Sequence, residues 1–153
     1  MHSVFKKNIG DKKQLFQIRV LEDNYAYVLS CGKEALVVDP GEAEPILSLI
    51  EKEGLVLKNI IITHYHTDHT GGNLRLKKET DCHIIGPEDE RIPMLDRSVD
   101  DGEELFFGPF SVEVISTPGH TNGSYCYLID TNFFCGDTLF AEGCGICFGE
   151  RSS

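Results

Sequence analysis

No apolar run in this sequence approaches the length of a membrane span. The longest, "LVV", "IIIT" and "YCYLI", stop after a few residues, where a helix crossing a bilayer needs about 20. A basic excess is missing too. Fourteen Lys and Arg stand against 25 Asp and Glu, a formal charge of −11, and the lysine pairs at 6–7, 12–13 and 77–78 are dispersed. Nucleic acid is thereby disfavoured as the main partner, because phosphate contacts need clustered cations; the lysine pairs read as solvated faces. There is no internal repeat and no low-complexity tract. The opening "MHSVFKKNIGDKKQLF" has neither an apolar core segment nor a small-residue cleavage site, so no secretory signal is read and a cytoplasmic location is expected. In a reducing compartment the six cysteines (31, 82, 126, 135, 144 and 147) read as thiols rather than a disulfide framework. Cys126 and Cys135 lie in apolar, strand-like segments, as core residues would. "CGIC" at 144–147 is a C-x-x-C with no second pair, and reads as a tight glycine loop rather than a metal or redox motif.

What is present is the composition of one soluble domain over residues 1–153, with 41% hydrophobic and 25% charged residues, enough to bury a core unaided. Residues 14–20, 25–31 and 34–41 read as strands, the last ending in a Pro-Gly turn. "EPILSLIEKEG" has apolar residues at helical spacing, acidic residues at its start and Gly54 at its end, which predicts a short amphipathic helix. "LKNIIITH" is a β-branched run suited to a strand covered on both faces. "GNLRLKKET" predicts a second helix and "CHIIG" a strand. "DERIPMLDRSVDDGEE" is polar and irregular. "LFFGPFSVEVIST" predicts a hairpin with Val112 and Val114 on one face, and "SYCYLI" and "NFFCGD" a strand pair around "DTN". Strands in meanders followed by strands alternating with helices predict a layered α/β sandwich.

The chemistry concentrates in "THYHTDHTGGN". His64, His66 and His69 are half of the chain's six histidines, and with Asp68 they fall inside six positions directly after a strand. Four donors so close along the chain are hard to aim at one tetrahedral ion. Dividing them is easier, with His64 and His66 on one ion and Asp68 and His69 on a second. Gly71 and Gly72 would let the backbone pack closely behind the loop and open a helix. A zinc site needs further N, S or O donors at about 2.0–2.3 Å. His120, in "STPGHTNGS", is a candidate third donor for the first ion. Asp137, in "FFCGDTLF", is a candidate bridge between ions about 3.5–4 Å apart. His2 and His83 read as ordinary surface or core residues. Every candidate follows a strand end, where a rigid sheet can position a loop.

"THYHTDHTGGN", "STPGHTNGSYCYLI" and "FFCGDTLF" together resemble the metallo-β-lactamase superfamily, whose H-x-H-x-D-H signature and later His and Asp they match in order. Within it, "LEDNYAYVL", "LVVDPGEAEPI" and "GDTLFAEGCG" are similar to the glyoxalase II (hydroxyacylglutathione hydrolase) group. The resemblance runs from about residue 16 to 149. It implies an αββα four-layer sandwich with a two-metal site, with His64, His66 and His120 on one ion, Asp68 and His69 on the other, and Asp137 between them. It also implies that Asp39, at the end of "LVVD", orients ligands from the second shell; a turn-former before Pro40 is the alternative for that residue. Two departures stand out. The family supplies one more histidine on a later strand, and none follows Asp137 here, so the C-terminal part of the fold is expected to be missing, exposing a sheet edge. After "GCG" the glyoxalase II pattern has a Lys or Arg, where this sequence has Ile146, Cys147 and Phe148. In this respect "AEGCGIC" is similar to metallo-hydrolases of polyketide clusters, which are thought to cleave acyl groups from carrier proteins.

The implied activity is metal-dependent hydrolysis of an acyl thioester by a hydroxide activated between two zinc ions, with iron or manganese as alternative metals and Asp68 orienting the hydroxide. The partner would be a small-molecule acyl thioester or an acylated carrier protein. A mononuclear iron sulfur dioxygenase and a non-catalytic metal-binding fragment are the remaining alternatives. The charge argues against the RNA phosphodiesterases that share the ligand set, and the oligomeric state is left open.

Overall fold

The computed structural model describes residues 4–22, 24–116 and 125–135, and the backbone pairing of 146–147. Alternating apolar positions build the first sheet. β1 (Val4–Gly10), β2 (Lys13–Val20), β3 (Asn24–Cys31) and β4 (Glu34–Val38) form an antiparallel meander. The chain then crosses through α1 (Ala43–Glu53) to β5 (Val56–Ile61), which is parallel to β4. It crosses again through α2 (Thr67–Thr70) and α3 (Asn73–Thr80) to β6 (His83–Gly86) and β7 (Arg97–Ser98), both parallel additions. Spatial order follows chain order, β1 to β7. The second sheet is antiparallel throughout, in the order β12-β11-β10-β9-β8, from β8 (Glu104–Phe107), β9 (Phe110–Ser116), β10 (Tyr125–Ile129), β11 (Asn132–Phe134) and β12 (Ile146–Cys147).

Two cores follow from the two-residue period of the strands. Phe16, Ile18, Val20, Ala26, Val28, Ala35 and Val37 pack against Ile46, Leu49 and Ile50 of α1 and Leu76 of α3. Their neighbours Leu15, Tyr27, Leu29, Leu36 and Val38 point the other way, onto Leu105, Val112, Val114, Tyr127 and Phe134 of the second sheet. β5 contributes to both, with Ile60 in the first and Ile61 in the second, as its unbroken apolar run predicts for a strand covered on both faces. Helices, among the described residues, cover the outer face of the first sheet.

Local chemistry ends the elements. The Glu42 carboxylate, at the start of α1, accepts the Leu21 amide at 2.9 Å, and Gly54 closes the helix in the left-handed region at φ 68°. Cys82, Cys126 and Cys135 are buried as apolar residues would be, and burial pushes the Cys82 thiol up. The lysine pairs are solvated only in part. Lys13 reaches Asp130 of the β10–β11 turn at 2.9 Å, and Lys77 reaches Asp96 at 2.6 Å.

β1 carries no pattern in the sequence. Almost every side chain along it is exposed, Val4 and Phe5 included, so pairing to β2 through the backbone defines it without any apolar alternation. "CGIC" contributes Ile146 and Cys147 to a short ladder with β11; Cys144 lies outside the described residues.

One side chain ties the sheets together beside the loop that follows β5. Tyr127 is fully buried, and its hydroxyl donates to the Ile62 carbonyl at 2.7 Å. Burial pushes this phenol well above the ordinary tyrosine range. Tyr127→Phe removes that donor and should lower stability by about 1–2 kcal/mol, read as a lower urea midpoint at unchanged m. Because the folded state favours the protonated phenol, its contribution is full below about pH 10 and is lost as pH rises further. The gap between wild type and Tyr127→Phe should therefore narrow at alkaline pH.

Candidate active site

The site forms where β4 and β5 end side by side, the usual place for function in a parallel sheet. Asp39 follows β4 directly and adopts φ 53°, a left-handed conformation that Asp tolerates better than most residues. This turn aims the carboxylate into the protein, where the residue is 3% exposed. Its Oδ1 accepts the Thr63 amide at 2.8 Å, and its Oδ2 accepts the Thr63 hydroxyl at 2.7 Å. Oδ2 also lies 2.9 Å from Nδ1 of His69.

These contacts assign protons. A carboxylate only accepts, so Nδ1 of His69 carries the hydrogen. The Thr63 hydroxyl gives its hydrogen to Asp39 and therefore accepts from Nδ1 of His64, 2.9 Å away. Both imidazoles are thus set as Nδ1–H tautomers, with Nε2 left as the basic nitrogen. Nε2 of His64 faces Nδ1 of His66 at 3.0 Å. Nε2 of His69 faces Oδ2 of Asp68 at 3.7 Å.

Residues 67–70 are not extended. They make the single helical turn of α2, with the Thr70 hydroxyl donating to the carbonyls of His66 at 3.2 Å and Tyr65 at 3.4 Å. This turn carries His69 back until its ring centroid is 4.3 Å from that of His64; the His66 ring is 4.6 Å from His64 on another side. Three imidazoles are therefore contiguous, with His64 central. Asp68 stays near the surface, and Nδ2 of Asn24 holds its Oδ2 at 3.0 Å and its carbonyl at 2.9 Å.

The glycines pack this loop against the Asp39 turn. A Cβ on Gly41 would lie 2.1 Å from the Asp68 carbonyl oxygen, and one on Gly71 2.5 Å from that of Gly41. Gly72 opens α3 and donates its amide to the Pro40 carbonyl at 2.7 Å. From the second sheet, the Tyr125 amide donates to the Thr63 carbonyl at 3.0 Å.

The structure thus brings together Asp39, His64, His66, Asp68 and His69. His120 and Asp137 lie outside the described residues, in the segments that follow β9 and β11. Among the described residues no three His, Cys, Asp or Glu side chains close into a complete metal site. The partial set nonetheless fits an ion. Two donors at about 2.0–2.1 Å on a tetrahedral zinc are about 3.3 Å apart, close to the 3.0 Å between the facing nitrogens of His64 and His66. His83 is exposed, as expected of an ordinary residue, and His2 lies outside the described residues. Sequence reasoning passed over Thr63 and Asn24. A hydroxyl directly before His64 was a readable signal for the first. Asn24 meets Asp68 only because the chain folds, and carries none.

Comparison with known proteins agrees with this geometry. The hydroxyacylglutathione hydrolase of Rhodospirillum rubrum is 44% identical over 140 residues, 88% of this chain and 55% of that protein. That of Methylococcus capsulatus is 44% identical over 142 residues, with the same coverage. The chain spans about half the length of the curated relatives it matches. The crystal structure of BLEG-1, a B3 metallo-β-lactamase, superposes with a TM-score of 0.70 at 26% identity, covering 80% of this chain and 71% of that one. The family model of the metallo-β-lactamase superfamily matches residues 20–147, most of the chain and all of the described site, and the chain belongs to that superfamily.

Proposed function

We propose that this chain is a glyoxalase II-like metal-dependent hydrolase that cleaves acyl thioesters. The observation that carries this reading is the hydrogen-bond network behind the histidines, which leaves Nε2 of His64 and Nε2 of His69 as bases directed away from Asp39. An imidazole backed by a hydroxyl or carboxylate in this way is the arrangement that metal ligands adopt. His64 and His66 would hold one ion with His120; Asp68 and His69 would hold the second, with Asp137 between them. Zinc suits the imidazole and carboxylate donors, and iron and manganese are the alternatives. Ions held there supply a water of lowered pKa and a Lewis acid for the thioester carbonyl.

The chain's own residues do the rest. Asp68, about half exposed and steered by Asn24, orients the attacking water as well as holding the second ion. Asp39 keeps the proton on Nδ1 of His69, so that ring cannot turn to present the wrong nitrogen. Net reaction takes one water, breaks the acyl carbon–sulfur bond and releases acid and thiol. The matched hydroxyacylglutathione hydrolases support a glutathione thioester. Ile146, where the glyoxalase II pattern has a cation, supports an acylated carrier protein as the second reading.

Elemental analysis combined with assays on lactoylglutathione and on an acylated carrier protein tests this. Two ions per chain and turnover of one thioester are expected, and which one reacts identifies the sulfur carrier. His64→Ala should abolish both metal retention and hydrolysis; hydrolysis surviving in that protein after metal removal sinks the scheme. Iron with oxygen uptake on a persulfide would instead identify a dioxygenase, and one ion or none without turnover a non-catalytic metal-binding segment. Asp39→Asn preserves the left-handed turn but not the acceptor charge. It should weaken metal binding about 10–100-fold, measured by competition with a chromogenic chelator.

A further inference from the structure

The irregular stretch between β6 and β7 sends one side chain back to the site loop. Cζ of Arg91 lies 3.4 Å from the centroid of the Tyr65 ring, the separation of a guanidinium stacked on an aromatic face. Tyr65 sits between His64 and His66 in the sequence, and its ring meets the His66 ring nearly edge-to-face, with centroids 4.7 Å apart at 68°. Asp89 grips Arg91 from the other side. Nε donates to Oδ1 at 2.9 Å and Nη2 to Oδ2 at 2.8 Å, a two-pronged pair. The Arg91 amide also donates to Oδ1, at 2.9 Å. These hydrogen bonds hold the Asp89 carboxyl below its ordinary range. The turn is pinned in its own right, since the Ile92 amide donates to the Asp89 carbonyl at 3.1 Å and Ile92 is buried. Carboxylate, guanidinium and phenol ring therefore form one chain of contacts that starts on a fixed turn and ends on an imidazole.

His64 and His69 are held from behind through Nδ1. His66 turns its own Nδ1 toward His64, and the Tyr65 ring packs against the His66 ring. The geometry points to Arg91, clamped by Asp89, as a positioning residue that fixes the His66 imidazole through the Tyr65 ring. This rests on the metal-binding reading above. An ion pair two residues apart whose guanidinium is about half exposed adds little stability, so the effect should be felt at the site rather than in the melting temperature.

The test titrates the metal-free full chain with Co²⁺, followed by its visible absorption. Arg91→Met should weaken the first ion about three- to tenfold, less than the 10–100-fold for a directly bonded outer-shell partner, and alter the Co²⁺ spectrum at unchanged Tm. Arg91→Lys keeps a cation over the ring but not the fork to Asp89, and should recover part of the loss. Tyr65→Leu should reproduce the loss, and the double variant should add nothing to it. In the metal-free chain, the ring ¹⁵N resonances of His66 should move in Arg91→Met while those of His64 stay. Unchanged Co²⁺ affinity with unchanged His66 resonances overturns the proposal, as do additive losses in the double variant. A raised KM for an anionic thioester with intact Co²⁺ binding also overturns it, because Arg91 would then act on substrate directly. If the wild type takes up no Co²⁺, the metal-binding reading falls, and the metal-free resonances still decide whether Arg91 fixes His66.

Discussion

The Asp39 carboxylate is the constraint on which the site depends. Burying such a group is costly unless its oxygens are met by donors. Here an amide, a hydroxyl and an imidazole N–H meet them. Those donors come from the loop after β5, so the price of burial is recovered only if that loop folds onto the end of β4 in one particular way. Removing the carboxylate would leave an amide, a hydroxyl and a ring nitrogen to find new partners in a space where the close-packed glycines admit no extra atoms. The loop's conformation and the histidines' tautomers are consequences of one interaction.

That dependence explains what the sequence could and could not reveal. The longer alternating strands and both longer helices were legible because each has a face: Phe16, Ile18 and Val20 alternate with residues on the other side of β2, and Ile46, Leu49 and Ile50 repeat along α1. The two-residue strands β7 and β12, in stretches read as irregular and as a glycine loop, have none. β1 was not legible, because a strand exposed on nearly every side chain leaves no apolar period to read. The gathering of His64, His66, Asp68 and His69 could be read from their spacing. Their arrangement could not. Residues 67–70 make a helical turn, because Thr70 and Gly71 bond back to the carbonyls of His66 and Thr67. Neither residue advertises that locally. Asp39 was named from a family resemblance, and its three donors are a property of the fold. Asn24 and Arg91 lie far along the chain from the histidines, in segments with no chemical signature, and enter the site only through tertiary contact.

The two sheets contribute unequally to the described site. Asp39, Thr63 and the three histidines all come from the segments that follow β4 and β5, and hydrogen bonds among Asp39, Thr63, His64 and His69 orient two of the rings. The second sheet touches this set through backbone and a phenol: the Tyr125 amide on the Thr63 carbonyl and the Tyr127 hydroxyl on the Ile62 carbonyl. Those two contacts set the end of β9, the start of β10 and the end of β11 on the side of the loop, and in the sequence the segments carrying His120 and Asp137 follow β9 and β11.

An architecture of this kind separates two tasks. The first sheet fixes ring orientation through a buried polar network, which low local dielectric makes strong when it is complete. The interface between sheets fixes how far the strand ends of the second sheet stand from the histidine loop. It does so with apolar packing of Leu36, Val38 and Ile61 against Val112, Val114 and Tyr127, whose close-packed side chains resist compression. A change in the network would alter how each imidazole presents its nitrogen, whereas a change in the intersheet core would alter the spacing of the strand ends without touching any of the histidines. The histidine loop therefore states the chemistry, and the sandwich beneath it sets the dimension in which that chemistry has to fit.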